Sequence, residues 1–462
     1  MTLIKSISGI RGTLGGKPGD TLSPVDVTLF TAAFGTLVKK SGKGNTVVIG
    51  RDARLSGELF TKIIAGTLQG LGIDVLDAGL ASTPTVEMTV VDEEAAGGII
   101  LTASHNPIEW NALKLLNEKG EFISAALGQD ILKLAEAQDF HFAEVMKLGS
   151  YTALDNPTQT HINHILKLEY VNAELIAGKN FNVIVDGINS VGGIAVPELL
   201  KQLGVNNITE INCEPTGLFK REPEPLPQNL TEMREAMQGG QYDLGIVVDP
   251  DADRLVFLQE NGEPFGEEYT LVAVADYLLG KNAGGNTVSN LSSTRALQDI
   301  TERFGGRYAA SAVGEVNVVE KMKATNALIG GEGNGGIIYP ALHYGRDALV
   351  GIALFLTHLA RSGQKMSEMK QNYPQYAISK NKLALTPDID VDTILKQVQE
   401  AYKDIPQNTE DGVRLNFDKE WVHLRKSNTE PIIRVIAESR TLESAGALAG
   451  KIMDEIKSLL NE

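Results

Sequence analysis

Four stretches of this sequence combine residue types and spacings that can do chemistry. The first is Thr102-Ala103-Ser104-His105-Asn106-Pro107. The apolar run Gly97-Gly98-Ile99-Ile100-Leu101 feeds into it as a buried strand would, and Pro107 bars an immediate helix. A serine at the C-terminal end of a strand, flanked by small residues, is well placed for covalent catalysis on a phosphate or sugar. Local turn hydrogen bonding also produces Ser-His pairs, so this stretch takes its meaning from the rest of the chain. The second is Asp249-Pro250-Asp251-Ala252-Asp253-Arg254, following the strand-like Leu244-Gly245-Ile246-Val247-Val248. Three carboxylates at alternate positions can converge on one hard cation, and oxygen-only ligands favour Mg²⁺ over zinc. A calcium EF-hand would need Gly at the sixth place, where Arg254 stands, so that reading fails. A solvated acidic turn is the alternative, but three carboxylates this close repel unless a cation neutralises them.

Glycine dominates residues 330–336, where Glu332 and Asn334 are the only side chains beyond hydrogen. A carboxylate and an amide suit vicinal sugar hydroxyls and suit phosphate poorly; a flexible surface turn would have the same composition. The fourth stretch, Arg425-Lys426-Ser427-Asn428-Thr429-Glu430-Pro431 with Arg434, reads as a phosphate cradle. Hydroxyls, turn amides and guanidinium groups all take phosphate oxygens. The Walker lysine pattern is absent, so this is not a P-loop.

The elements that position these loops follow from length and pattern. A chain of 462 residues exceeds a single core and predicts three or four domains. A formal net charge of -17 argues against nucleic acid and anionic membrane as main partners. Any anionic substrate must then be drawn by a local cationic cleft. Cys213 is the sole cysteine, which rules out an intrachain disulfide. The N-terminal Met1-Thr2-Leu3-Ile4-Lys5-Ser6 has no apolar h-region and no stretch approaches eighteen apolar residues, so a cytoplasmic, soluble protein is expected.

The pattern repeats three times. Asn45–Gly50, Asn182–Val185 and Asn286–Asn290 are strand-like, and each runs into a polar loop. A helical stretch and a second strand near Gly72, Gly204 or Gly306 come next. A third strand then ends in the Ser104 loop, the Asp249–Asp253 loop or the 330–336 glycine loop. Alternating strands and helices indicate layered α/β domains, whose ligand sites lie beyond the strands' carboxyl ends. After about Arg361 the pattern changes, with a linker at Asn372-Tyr373-Pro374 and an amphipathic helix at Val391–Ala401. Hairpin-like strands around Gly412–Phe417 and Trp421–Arg425 and a C-terminal helix from about Leu442 to Leu460 make a smaller α+β domain.

Four motifs in this order resemble the α-D-phosphohexomutase superfamily over nearly the whole chain. Thr102–Pro107 matches its phosphoserine loop, Asp249–Arg254 its metal loop, Gly331–Gly336 its sugar loop and Arg425–Pro431 its phosphate loop. Ser8-Gly9-Ile10-Arg11-Gly12 and Asn111-Ala112-Leu113-Lys114 also look like family features. The resemblance implies three related mixed-sheet α/β domains, expected at 1–148, 149–255 and 256–368, and a TATA-box-binding-protein-like domain at 372–462. It implies a reversible mutase moving phosphate between C1 and C6 of a hexose, as monomer or homodimer. By position, Ser104 would be phosphorylated and would join Asp249, Asp251 and Asp253 around one Mg²⁺ per chain. His105 would share the catalytic loop, and Arg11, Lys114 and Arg254 would surround the transferring group. Glu332 and Asn334 would hold sugar hydroxyls. Arg425, Ser427, Asn428, Thr429 and Arg434 would hold the unreacting phosphate. Hexose 1,6-bisphosphate would be intermediate and activator, and a hinge before the fourth domain would let it turn over.

The chain departs from the pattern twice. Asn334 and Gly336 stand where many members carry Ser and His, and Ala112 stands where Gly is usual. The missing histidine leaves proton transfer to Lys114, His105 or His343. The version of the sugar loop is similar to that of enzymes acting on glucosamine 6-phosphate, with phosphomannomutase/phosphoglucomutase activity as the close alternative. A metal-dependent serine phosphatase would not need a cradle that retains product. A sugar-phosphate sensor would need no nucleophile beside a metal.

Overall fold

In the computed structural model, residues 2–6, 9–385, 389–426 and 432–461 are described. They form two compact units: Met1–Tyr277 with Asn334–Lys370, and Leu278–Gly333 with Gln371–Glu462. Among the described residues, no helix is long and apolar enough to cross a membrane.

In the first unit, Gly97–Leu101 is buried at all five positions, which is the pattern of a strand covered on both faces. It lies within a seven-stranded sheet ordered Ile4–Ser6, Gly9–Thr13, Trp110–Leu116, Gly97–Leu101, Thr46–Arg51, Asp74–Leu80, Tyr151–Ala153. Thr46–Arg51 runs parallel to both neighbours, whereas Trp110–Leu116 returns antiparallel. Side chains alternate across this sheet as strand geometry demands. Val47, Ile49, Ile99 and Leu101 pack with Phe30, Phe34, Phe60 and Leu68, while Val48 and Ile100 meet Val86 and Val90 on the other face. Helices Pro24–Ser41 and Thr83–Asp92 begin at serine caps, Ser23 and Ser82, whose hydroxyls accept from Asp26 and Thr85 amides.

The same wiring recurs. Asn182–Asp186 lies between Asn207–Ile211 and Leu244–Val248, both parallel to it, and Leu255–Gln259 returns antiparallel. In the second unit, Asn286–Asn290 lies between the parallel Tyr308–Ser311 and Ala327–Glu332. Each third strand thus delivers one of the loops singled out from sequence.

The C-terminal sheet is antiparallel, ordered Ala377–Ala384, Ile432–Ser439, Trp421–Lys426, Val413–Asn416, Gln407–Asn408. Helices Val391–Ala401 and Leu442–Asn461 share its core. Three of these strands, Ala377–Ala384, Gln407–Asn408 and Ile432–Ser439, were not read from sequence. Ala377–Ala384 is an edge strand, polar through its middle at residues 379–382 and partly exposed, and lysines such as Lys380 and Lys382 suit an unpaired edge. This sheet is tightly joined to the 278–333 segment inside the second unit. Arg414 Nη1 donates to Leu291 O at 2.6 Å, Ser292 Oγ meets His423 Nδ1 at 2.9 Å, and the Arg295 amide donates to Glu438 Oε1 at 3.0 Å. The fourth domain expected from sequence is therefore bonded firmly to part of the third.

Candidate active site

Ser104 occupies a turn that its own backbone resists. Its φ is +48°, a left-handed value that costs a non-glycine residue energy, so surrounding contacts must hold it. Arg54 supplies many of them. Its guanidinium donates to the carbonyls of Ser104, Asn106, Pro107 and Trp110 at 2.6–2.9 Å, and Nε pairs with Asp52 at 3.0 Å. Asp52 also accepts from Thr102 Oγ1, which in turn accepts from the Ser104 amide at 2.9 Å. Lysine keeps the charge but cannot fan out to four carbonyls. Arg54→Lys is expected to cut turnover by about 10²-fold through misplacement of Ser104, with KM little changed; steady-state kinetics of the two proteins checks this.

The Ser104 hydroxyl donates to Asp249 Oδ2 at 2.9 Å, while His105 Nδ1 is 3.4 Å away and instead receives Arg254 Nη2 at 2.8 Å. The Ser-His pair is therefore not a nucleophile with its base. Burial, with the Arg254 and Arg346 cations nearby, pushes the His105 imidazole down to about 2, so it stays neutral.

Asp249, Asp251 and Asp253 are wholly buried, and one carboxylate oxygen from each lies within 4.8 Å of the others. Burial and the two neighbouring carboxylates push Asp249 well above the usual carboxylate range. Burial also works against Asp251, but the Lys114 ammonium at 2.7 Å and the Thr83 hydroxyl outweigh it and hold that carboxyl low. Asp251 Oδ1 and Asp253 Oδ1 accept no hydrogen bond. Buried carboxylate oxygens without donors are costly, and an oxygen-liking divalent cation removes that cost. The donor set fits a metal ion.

A ring of cations encloses the aspartates. Lys114 lies 2.7 Å from Asp251 and 3.5 Å from Asp253, and these carboxylates override burial to raise it to about 12. Arg254 bridges Glu224 and His105. Burial and the Arg254 charge lower Arg11, which places it in the same cationic field. Arg346 was not recognised from sequence, yet its Nη2 donates to Asp253 Oδ2 at 2.6 Å. Its aliphatic stem runs across Gly336, where an added Cβ would meet Arg346 Cδ at 2.3 Å. The residue that replaces the family histidine thus leaves room for an arginine. Gly336→Ala is expected to displace Arg346, cost about 1–3 kcal/mol and depress turnover. Gly446→Ala, where an added Cβ meets nothing within 4 Å, is expected to leave both intact; thermal unfolding and turnover check the pair.

His343 does not join this ring through its described bonds; it faces Glu87 and Asp347. The glycine loop is divided: Glu332 ends a strand of the second unit and Asn334 begins a segment of the first. Glu332 Oε1 accepts from Asn290 Nδ2 and the Gly314 amide, and Asn334 Oδ1 accepts from the Gly336 amide. In the second unit Arg425 and Arg434 are direct cross-strand partners, with Arg425 Nε 2.7 Å from Asp411. Ser8, Ser427, Asn428 and Thr429 lie outside the described residues.

Comparison with known proteins follows these four parts of the chain. Residues 3–142, 159–262, 266–376 and 386–455 match the family descriptions for phosphoglucomutase/phosphomannomutase alpha/beta/alpha domains I, II and III and the C-terminal domain. A phosphoglucomutase/phosphomannomutase of Thermococcus kodakarensis is 35% identical over 440 residues, 94% of this chain and 95% of that one. A phosphoglucosamine/phosphogalactosamine mutase of Sulfurisphaera tokodaii is 32% identical over 458 residues, 98% of each. A crystal structure of a phosphoglucomutase/phosphomannomutase family protein from Burkholderia thailandensis shares the fold at TM-score 0.82 and 24% identity, covering 98% of both chains. The chain belongs to the phosphoglucomutase/phosphomannomutase family of the α-D-phosphohexomutase superfamily. It is a phosphohexomutase, and so an isomerase.

Proposed function

We propose that the chain interconverts hexose 6-phosphate and hexose 1-phosphate through a phosphorylated Ser104, with glucosamine 6-phosphate as its preferred substrate. The observation that carries this is the Ser104 hydroxyl bonded to a carboxylate of a buried three-aspartate cluster. In the first half-reaction the bond from Ser104 Oγ to phosphorus breaks as a sugar hydroxyl oxygen bonds to phosphorus, and the hydroxyl proton ends on Ser104 Oγ, giving a hexose 1,6-bisphosphate. In the second, the other phosphoryl group returns to Ser104 Oγ, whose proton ends on the sugar oxygen that is freed. Asp249, Asp251 and Asp253 would hold Mg²⁺, which when bound neutralises phosphoryl charge. Lys114, Arg254, Arg11 and Arg346 stabilise the equatorial oxygens of the transferring group; Lys114 keeps its proton and acts as a fixed charge. His105, neutral and held by Arg254, orients that guanidinium.

Glu332 and Asn334 would take the sugar hydroxyls, and Arg425 and Arg434, with Ser427, Asn428 and Thr429, the distal phosphate. Like charges directly opposite on adjacent strands are unfavourable, and an anion between Arg425 and Arg434 would relieve them. Activity on glucose and mannose phosphates is the second reading, favoured by the name of the Thermococcus relative. Coupled mutase assays with glucosamine, glucose and mannose 6-phosphates decide between them. Glu332→Ala is expected to change the ranking of the three sugars, whereas Arg425→Ala is expected to weaken all three similarly. The reverse pattern would overturn this division of labour.

A further inference from the structure

The first unit contains a second group of ligand-type side chains that phosphoryl transfer does not use. His161 projects from helix Pro157–Leu166, Asp347 caps helix Ala348–Ser362, and His343 lies one turn before that cap. Asp347 divides its two oxygens. Oδ1 accepts the helix amides of Leu349 and Val350, at 2.8 and 3.3 Å. Oδ2 is left facing His161 Nε2 at 2.9 Å and His343 Nε2 at 3.3 Å. The two imidazole rings are nearly perpendicular, at 88°, and present Nε2 to that one oxygen. One atom from each residue falls within 4.8 Å of the others. Tetrahedral zinc, with bonds near 2.0–2.1 Å, sets its ligand atoms about 3.3 Å apart.

The outer partners are also those of a metal centre. His161 Nδ1 is 3.0 Å from Thr85 Oγ1, and His343 Nδ1 is 3.4 Å from Glu87 Oε2. Histidine ligands commonly give their second nitrogen to a hydroxyl, carbonyl or carboxylate, which fixes the tautomer. Hydrogen bonding alone could also join two imidazoles to one carboxylate. Yet His343 has a carboxylate at each ring nitrogen, and both separations exceed the roughly 2.7–2.9 Å of a charge-assisted pair. A cation at Nε2 with a carboxylate at Nδ1 accounts for both distances.

We propose that His161, His343 and Asp347 form a transition-metal site of zinc type, separate from the three aspartates. Two nitrogen donors and one carboxylate suit zinc and do not suit Mg²⁺. The fourth position is open to water on the side of His343, whose side chain is 11% exposed. A metal here would tie helix Pro157–Leu166 to the start of helix Ala348–Ser362, beside Arg346. The inference does not depend on which sugar the enzyme uses, nor on Ser104.

The test uses the full chain, stripped with chelator and returned to saturating Mg²⁺, then titrated with Co²⁺ and Zn²⁺. One Co²⁺ per chain is expected, with the intense visible absorption of a low-coordinate site, displaced by Zn²⁺. Zinc is also expected to raise the unfolding midpoint. His161→Gln and His343→Asn should each weaken binding about 100-fold and Glu87→Gln about 10-fold, while Asp251→Asn should retain it. Absence of that spectrum in the wild-type protein overturns the proposal, and so does equal binding by both histidine variants. Loss of binding in Asp251→Asn alone overturns it too, because the ion would then be in the aspartate cluster. If a histidine variant fails to fold, the Glu87→Gln and Asp251→Asn variants decide: weaker binding in the first with retention in the second supports the site, and the reverse overturns it.

Discussion

Ser104→Ala is expected to lower turnover on the order of 10⁴-fold or more while leaving the fold intact. The hydroxyl donates to Asp249 and bears no packing load, whereas the loop around it is held through backbone carbonyls by Arg54. Alanine preserves all of those carbonyl contacts. The loss therefore reports chemistry and not collapse, and circular dichroism and thermal unfolding should match the wild type. Intact-mass measurement and peptide mapping on freshly purified wild-type protein should find one phosphoryl group on Ser104 and none in the variant. An active alanine variant, or phosphate mapped to another residue, would remove Ser104 from the mechanism.

Asp251→Asn and Asp249→Asn should both abolish most activity, on the order of 10²–10³-fold, yet affect the metal-free protein in opposite directions. Asp251 anchors Lys114 through a buried ion pair, and breaking such a pair typically costs about 3–5 kcal/mol. Asparagine keeps one hydrogen bond, so the cost here falls toward the lower end of that range. Asp249 is strained instead. Its folded-state carboxyl holds a proton more tightly than the unfolded chain does, because burial and two carboxylates oppose its charge. Stability of the metal-free protein should then fall as pH rises above the ordinary carboxylate value of 3.8. Asp249→Asn removes that loss and should make the metal-free protein more stable at neutral pH. Unfolding curves across pH, with and without Mg²⁺, measure both signs; parallel behaviour of the two variants would contradict the assignment of strain to Asp249.

What could be read from the chain before its structure was local. The Ser104 and Asp249 loops each place their chemistry within six consecutive residues, directly after an apolar run long enough to be a strand. The threefold wiring was visible for the same reason, since each unit repeats a short periodic pattern. Arg346 and Arg54 were invisible because their partners are distant in sequence: Arg346 meets Asp253 across 93 positions and Arg54 meets Ser104 across 50. The absence of a histidine at Gly336 looked like a gap in the machinery. It is a clearance for the stem of Arg346, which no reading of the glycine loop by itself could supply. The edge strand Ala377–Ala384 escaped notice because its middle residues, 379–382, are polar on both faces, so it lacks the alternation that marks a half-buried strand.

The left-handed turn at Ser104 also restricts which amino acids evolution can try at this position. Threonine would preserve a hydroxyl able to carry phosphate, but its branched Cβ crowds a backbone at φ +48° far more than serine does. A threonine here would pull the loop toward an ordinary extended or helical conformation and take its oxygen off the aspartates. Serine is thus selected twice, once for its oxygen and once for how little else it brings. A lineage that lost it could not recover through the other hydroxyl-bearing alcohol without first rebuilding the turn.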